Sequence, residues 1–138
     1  MSTHTSTAAV TTVSARQTIG VSSKTVSHTF SGTAASAGDV VQMIKVAAGT
    51  TPLAIYIAGG PATSTFGSTI TVGDGIDPNR YLATTSASDG MTIVHCNALA
   101  GALYTYTADD TIDITISAIG SATAAGTFYL NAIYTDDV

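Results

Sequence analysis

Glutamate and tryptophan are absent from this 138-residue chain, and lysine, arginine and glutamine occur only twice each. Helical surfaces draw on Glu, Lys, Arg and Gln, which lose little rotamer freedom there, so their scarcity argues against a helical fold. Only four residues are basic, against nine aspartates, for a net charge of -5. Four scattered cations neutralise few phosphates, which excludes a nucleic-acid-binding role. Apolar runs extend for only a few residues, far short of the roughly 20 that a membrane helix needs. Met1–Val10 lacks a basic region followed by an apolar core and is not expected to act as a signal peptide. Cys96 stands alone, which rules out an intrachain disulfide framework and suits synthesis in a reducing cytosol. Charged residues make up 9% of the chain, whereas about a quarter is usual, so part of the surface is expected to be buried against partners.

Hydroxyls fill the space that charge leaves. The chain has 25 threonines and 14 serines, and Thr, Val, Ile and Tyr suit a pleated, half-buried surface. Residues 1–23 form an N-terminal arm in which 11 positions are Ser or Thr and neither a period of 2 nor of 3.6 holds. Such a segment does not offset its own ordering entropy. It is expected either to remain a tail or to order against a neighbouring subunit through Val10, Val13, Arg16, Ile19 and Val21. Residues 24–138 read as one domain of short strands divided by Gly, Asp, Pro and Asn turns. The expected strands are Thr25–Ser31, Asp39–Val46, Pro52–Ala58, Ser68–Val72, Arg80–Ala83, Met91–Cys96, Leu103–Thr107, Thr111–Ala118 and Gly126–Thr135. Thr111–Ala118 alternates most clearly, and a one-residue slip would expose Ile112, Ile114 and Ile116. Leu53, Ile55 and Ile57 share one face of their strand. Ile55, Ile57, Val72, Ile93, Ile112, Ile114, Ile116, Phe128 and Leu130 are the expected inward residues. The pattern predicts an all-β, antiparallel two-sheet sandwich, Greek key or jelly-roll-like, with an extended N-terminal arm.

No arrangement of residues reads as catalytic. Asp74, Asp77 and Asn79 would offer oxygens to a calcium ion, but the spacing departs from an EF-hand loop and no glutamate supplies a bidentate ligand. The structural alternative is a Gly-Asp-Gly turn, a second turn at Asp77-Pro78-Asn79, and Arg80 paired with a nearby aspartate. Asp109, Asp110 and Asp113 form a second acidic cluster, with Asp113 expected on the polar face of its strand. Clusters of this kind follow from aspartate being the only acid. His95 and Cys96 are adjacent in a strand and point to opposite faces, so they do not make a nucleophile–base pair. His28 would have to meet Cys96 through the fold, and a lone Cys more often packs as a small hydrophobe. One Cys and scattered His lack the paired spacing of a zinc site. No nucleophile elbow, P-loop or dinucleotide fingerprint is present, and no cofactor or metal is expected. Tyr56, Tyr81, Tyr104, Tyr106, Tyr129 and Tyr134 would stack on sugars if several lined one groove. Core edges and subunit interfaces are the alternative.

The order of segments carries a resemblance. Ala37-Gly-Asp-Val-Val-Gln-Met-Ile-Lys-Val46 precedes the apolar strand Pro52–Ala58. Ile70-Thr-Val-Gly-Asp-Gly-Ile-Asp-Pro-Asn-Arg-Tyr-Leu82, a Tyr-rich turn, Ala108-Asp-Asp-Thr-Ile-Asp-Ile-Thr-Ile116 and Gly126-Thr-Phe-Tyr-Leu-Asn-Ala-Ile-Tyr134 follow. Over residues 37–135 this resembles a group of tailed-phage virion structural proteins that includes capsid decoration, or cement, proteins. The resemblance implies a jelly-roll-like domain, homo-oligomers (often trimers), and attachment to the major capsid protein on the outer surface of a virion made in a bacterial host. The expected role is to bridge and stabilise capsid subunits. The alternative is a host-glycan-binding module on a phage tail or fibre. Neither nucleic acid nor membrane is an expected partner.

Overall fold

The computed structural model describes residues 3–5, 20–30, 36–61, 68–87, 94–118 and 126–136. In chain order these form β1 (Thr3–Thr5), β2 (Gly20–Phe30), β3 (Val40–Val46), β4 (Thr51–Pro61), β5 (Ser68–Gly73), β6 (Leu82–Ala87), β7 (Val94–His95), β8 (Asp110–Ala118) and β9 (Gly126–Asp136). The only helical element among them is a 3-10 turn, Leu99–Gly101. The strands build two sheets, one of five strands in the order β1-β3-β8-β5-β6 and one of four in the order β2-β9-β4-β7. Pairing is antiparallel except between β1 and β3, which run parallel. The protein is thus an all-β sandwich of jelly-roll-like form.

Alternation along the strands sets the core. Ile112, Ile114 and Ile116 on β8 face inward with Val41 and Ile44 of β3 and Ile70 and Val72 of β5. Ile55 and Ile57 of β4 and Phe128, Leu130 and Ala132 of β9 supply the opposing layer. Every inward residue expected from alternation is buried except Ile93, which lies outside the described residues. Full burial of such side chains contributes about 1.5–3 kcal/mol each, before entropy is counted.

Two bulges change faces that strict alternation assigned. The β4–β9 register shifts between Pro52 and Ala54, which turns Leu53 away from Ile55 and Ile57 and leaves it 45% exposed. An extra residue on one strand lets two positions oppose one and re-aims the side chains beyond it. A similar shift in β3 between Gln42 and Ile44 lets the consecutive Met43 and Ile44 both be buried.

Other boundaries also move. β2 opens at Gly20 rather than Thr25, so Gly20–Ser23 pairs with β9 from Asp136 to Ile133. The strand expected from Arg80 begins at Leu82 and runs to Ala87, because Arg80 is held in the turn before it. Leu103–Thr107 is not a strand. Leu103 has φ 55°, in the left-handed region, which breaks an extended run. The segment is held instead by Gly49 N–H donating to Tyr106 O (2.7 Å) and Tyr106 N–H donating to Thr50 O (2.9 Å).

Candidate functional site

The richest polar chemistry gathers where β5 turns into β6, next to the segment between β7 and β8. Asp74 organises the turn. Its Oδ1 accepts from the N–H of Ile76 (3.0 Å) and of Asp77 (2.8 Å), while its own N–H donates to Asp77 O (3.0 Å). An aspartate that binds the backbone two and three residues on is the usual local device of such turns. Asn79 N–H donates to Asp77 Oδ1 and Arg80 N–H to Asp77 O, closing the second turn. Gly73 is required because the turn closes over it: an added Cβ would lie 2.6 Å from Pro78 O and closer still to Asp77 O.

Arg80 bonds the remaining oxygen of Asp74 through Nε, and both side chains are largely buried. Burial acts to lower the Arg80 pKa, but the bond to Asp74 and its charge outweigh this, and the net shift is upward. The guanidinium carbon also sits 3.7 Å above the Tyr104 ring centroid. Tyr104 meets Tyr106 edge to face at 5.2 Å, and Tyr81 Oη donates to Tyr106 Oη at 2.7 Å. Burial raises both the Tyr81 and Tyr106 phenols, which stay protonated. The Asp74 carboxylate is therefore committed to two amides and one guanidinium. The expected pairing of Arg80 with an aspartate in a Gly-Asp-Gly turn is what the structure shows.

The second acidic cluster divides by role. Asp109 Oδ1 accepts from Ala48 N–H (3.1 Å) and Asp110 Oδ1 from Thr111 N–H (2.8 Å). Asp113 departs from expectation. It lies on the outward side of β8 but is only 3% exposed, flanked in register by Gln42 and Gly73. Its Oδ1 has no hydrogen-bond partner. Burial pushes its carboxyl up to about 7, with the Asp110 and Asp74 charges adding to the rise and a bond from Thr111 opposing it. Among the described residues no group of three or more His, Cys or Asp side chains is placed to hold a metal ion.

His28 and Cys96 do not meet. His28 lies on β2 and Cys96 directly follows β7, at opposite ends of the order β2-β9-β4-β7 with two strands between. Cys96 is buried and its thiol is pushed up to about 12 by desolvation, which withholds the thiolate a nucleophile needs. Of the tyrosines only Tyr104 and Tyr106 line a common pocket, beside Gly75, Ile76, Asp109 and Asp110, and neither offers an open ring face there. Tyr81, Tyr106 and Tyr134 are buried, and Tyr104 lies under Arg80. Tyr56, stacked on His95 at 5.0 Å, and Tyr129 lie on an open sheet surface.

That surface is the feature alternation held and sequence reading passed over. The outward side of the four-stranded sheet carries His95 of β7 beside Tyr56, and across its other three strands the odd-numbered residues 21–29 of β2, 127–135 of β9, and Ala54, Tyr56 and Ala58 of β4. The positions on β2, β9 and β4 include no Asp, Lys or Arg. Their polar groups bond sideways to each other. Thr29 and Thr127 share a hydroxyl bond of 2.8 Å, and Asn131 Nδ2 donates to Ser23 Oγ (3.2 Å) and Thr25 Oγ1 (2.7 Å). Val21, on this face, is 66% exposed and Tyr129 is 50% exposed. Of the five residues expected to make intersubunit contacts, Val21 is the one described. Val10, Val13, Arg16 and Ile19 lie outside the described residues.

No protein-family model and no curated protein matches the chain. Solved structures do. A chain in the capsid of Ralstonia phage GP4 superposes with a TM-score of 0.78 at 15% identity, over 99% of each chain. A chain of the cyanophage Pam1 capsid asymmetric unit gives 0.71 at 18% identity, over 93% of this chain and 94% of that one. A chain in the acidic stable capsid structure of Helicobacter pylori bacteriophage KHP30 gives 0.57 at 16%, over 83% and 87%. At these identities the likeness is one of fold.

Proposed function

We propose that this protein is a non-enzymatic structural component of a phage virion that decorates the outer surface of the assembled capsid. In this role it bridges subunits of the major capsid protein, with a homotrimer as its working unit. The observation that supports the reading is the end-to-end match in fold to a chain in a phage capsid, over 99% of both chains. The chemistry agrees. Asp74, Arg80, Tyr81, Tyr104 and Tyr106 are spent on bracing one end of the sandwich, and Cys96 is held protonated. A surface with little charge also suits burial between subunits. Of the expected arm, residues 1–23, Thr3–Thr5 pairs with β3 and Gly20–Ser23 belongs to β2; the segment would add contacts through Val10, Val13, Arg16 and Ile19, together with Val21 on β2, on a neighbouring copy or on the shell.

Electron microscopy of the parent particle tests the placement. Regular density for this fold over the shell is the expected result, and density at the tail alone would overturn it in favour of a host-binding module. Binding of a chain starting near Val21 to capsids lacking the protein tests the arm. Weakened binding with the sandwich still folded is expected, and full-strength binding would exclude an attaching role for residues before Val21.

A further inference from the structure

We propose that Asp113 and the turn from Asp74 to Arg80 form a proton-operated latch: the turn stays closed while the Asp113 carboxyl holds its proton, and opens when the proton leaves. The device goes beyond the capsid reading and does not depend on it.

The latch is built from the register of β5 and β8. Gly73, the last residue of β5, pairs with Asp113, and register partners leave a sheet on the same side. The space that a side chain at position 73 would fill, next to Asp113, is taken by the turn itself, through Asp77 O and the carbonyl of Pro78. Asp113 is therefore sealed in beside its own chain on the outward side of β8, 3% exposed, and its Oδ1 has no hydrogen-bond partner. A protonated carboxyl tolerates this position, because a neutral polar group loses far less than a charge when it leaves water. A carboxylate does so only where a cation or several donors meet it.

Among the described residues, the neighbours of Asp113 supply more repulsion than relief. On β8 itself, Thr111 gives one side-chain bond and Asp110 adds a like charge. On β3, Gln42 stands opposite in register and is neutral, while Lys45, opposite Thr111, is exposed to water. From the turn come Asp74, Asp77 and Arg80. Asp77 Oδ1 takes the Asn79 N–H, and Arg80 is already bound to Asp74 and lies over Tyr104. Burial first, then the charges of Asp110 and Asp74, push the Asp113 carboxyl up to about 7 against the bond from Thr111. Once ionised, Asp113 gains water only if the cover beside it lifts. The same ionisation sets a second carboxylate against Asp74, the residue whose Oδ1 holds the amides of Ile76 and Asp77. The closed turn binds the Asp113 proton more tightly than the open turn. Opening is thus rarest below about pH 4, grows by up to about tenfold per pH unit, and levels off above about pH 7.

Amide hydrogen exchange of the full chain, followed by NMR from about pH 5 to about pH 8 and corrected for the intrinsic rate of an unfolded peptide, tests this. The N–H groups of Ile76 and Asp77 report the turn. Those of β9, which lies between β2 and β4, report global unfolding. The turn amides should be less protected than those of β9, which shows that the turn opens by itself. Their protection should fall at least about tenfold across this range. Asp113→Asn is neutral at every pH, and its turn protection should stay constant within about twofold. If Asp113→Asn does not fold by circular dichroism, the wild-type protein alone supplies the reading: the carboxyl carbon signal of Asp113 and the amide shifts of Ile76 and Asp77 should titrate with one midpoint. Turn protection that is independent of pH, or that falls equally in Asp113→Asn, would overturn the latch. So would turn amides that exchange only as slowly as those of β9, or midpoints about one pH unit or more apart.

Discussion

The two sheets share one core and present opposite outer sides. On the five-stranded sheet, the turn from Asp74 to Arg80 closes over Gly73 and the neighbouring Asp113 is sealed in. Lys45 is exposed there, but the buried charge is either paired, as in Asp74–Arg80, or raised toward neutrality, as in Asp113. On the four-stranded sheet the outward positions of β2, β9 and β4 are hydroxyl, amide, aromatic and aliphatic, bonded sideways and open, with the His95 imidazole of β7 at one edge. One side is locked by buried ionic and aromatic contacts, and the other is held by hydroxyl and amide bonds at its surface.

The largest effect should come from breaking the locked side. Arg80→Ala removes the cation that neutralises the buried Asp74 and the cover over Tyr104. Leaving one partner of a buried pair costs about 3–5 kcal/mol, measurable by chemical denaturation. A loss below about 1 kcal/mol would show that water satisfies Asp74 and that the turn is not a lock. Ile114→Ala probes the core both sheets share and should cost about 2–5 kcal/mol. A loss within about 0.5 kcal/mol would mean that the β8 face is not core.

Asp113 yields a pH signature that the open face lacks. Its carboxyl is raised from the ordinary 3.8 to about 7 in the folded protein. The folded state holds this proton more tightly than the unfolded chain, so the stabilisation is full below about pH 4 and lost as pH rises through about 7. Wild-type stability relative to Asp113→Asn should therefore fall between pH 4 and pH 8, by up to about 1.4 kcal/mol per unit. Asp113→Asn should be the more stable protein at pH 8, by about 2 kcal/mol, since it removes a buried charge. Parallel pH profiles for the two proteins would show that Asp113 is hydrated in solution. The smallest effect belongs to the open face: Thr127→Val breaks the bond to Thr29 and should change monomer stability by no more than about 0.5 kcal/mol. A larger loss would mean that the face is held as firmly as the other side.

Sheet interiors were legible because alternation with a period of 2 needs no tertiary information. Ile112, Ile114 and Ile116 on β8, and Phe128 and Leu130 on β9, announce their side of the strand. The Asp74–Arg80 pair was legible for a similar reason: both partners lie within one local turn. Leu53 was not, since a bulge depends on the partner strand and leaves no mark in its own residues. Leu103–Thr107 has the composition of a strand, yet one left-handed residue and the pull of the Arg80–Tyr104 and Tyr81–Tyr106 contacts take it out of any sheet. The charge-free face could have been read by setting the odd positions of 21–29 beside those of 127–135. What hid it is that the two strands are about a hundred residues apart and only their pairing makes them one surface.

The sequence by itself determined that this protein is all-β, that its isoleucines face inward, and that its Gly-Asp-Gly turn is closed by its own arginine. These are decided by side-chain period and short-range bonds, which the chain carries wherever it folds. Only the tertiary structure decided that Asp113 is buried, that His28 and Cys96 stay apart, and that β2, β9 and β4 share an uncharged side. Each of these is a consequence of which strands become neighbours. That choice is made by packing two sheets around one core, and no local stretch of the chain contains it.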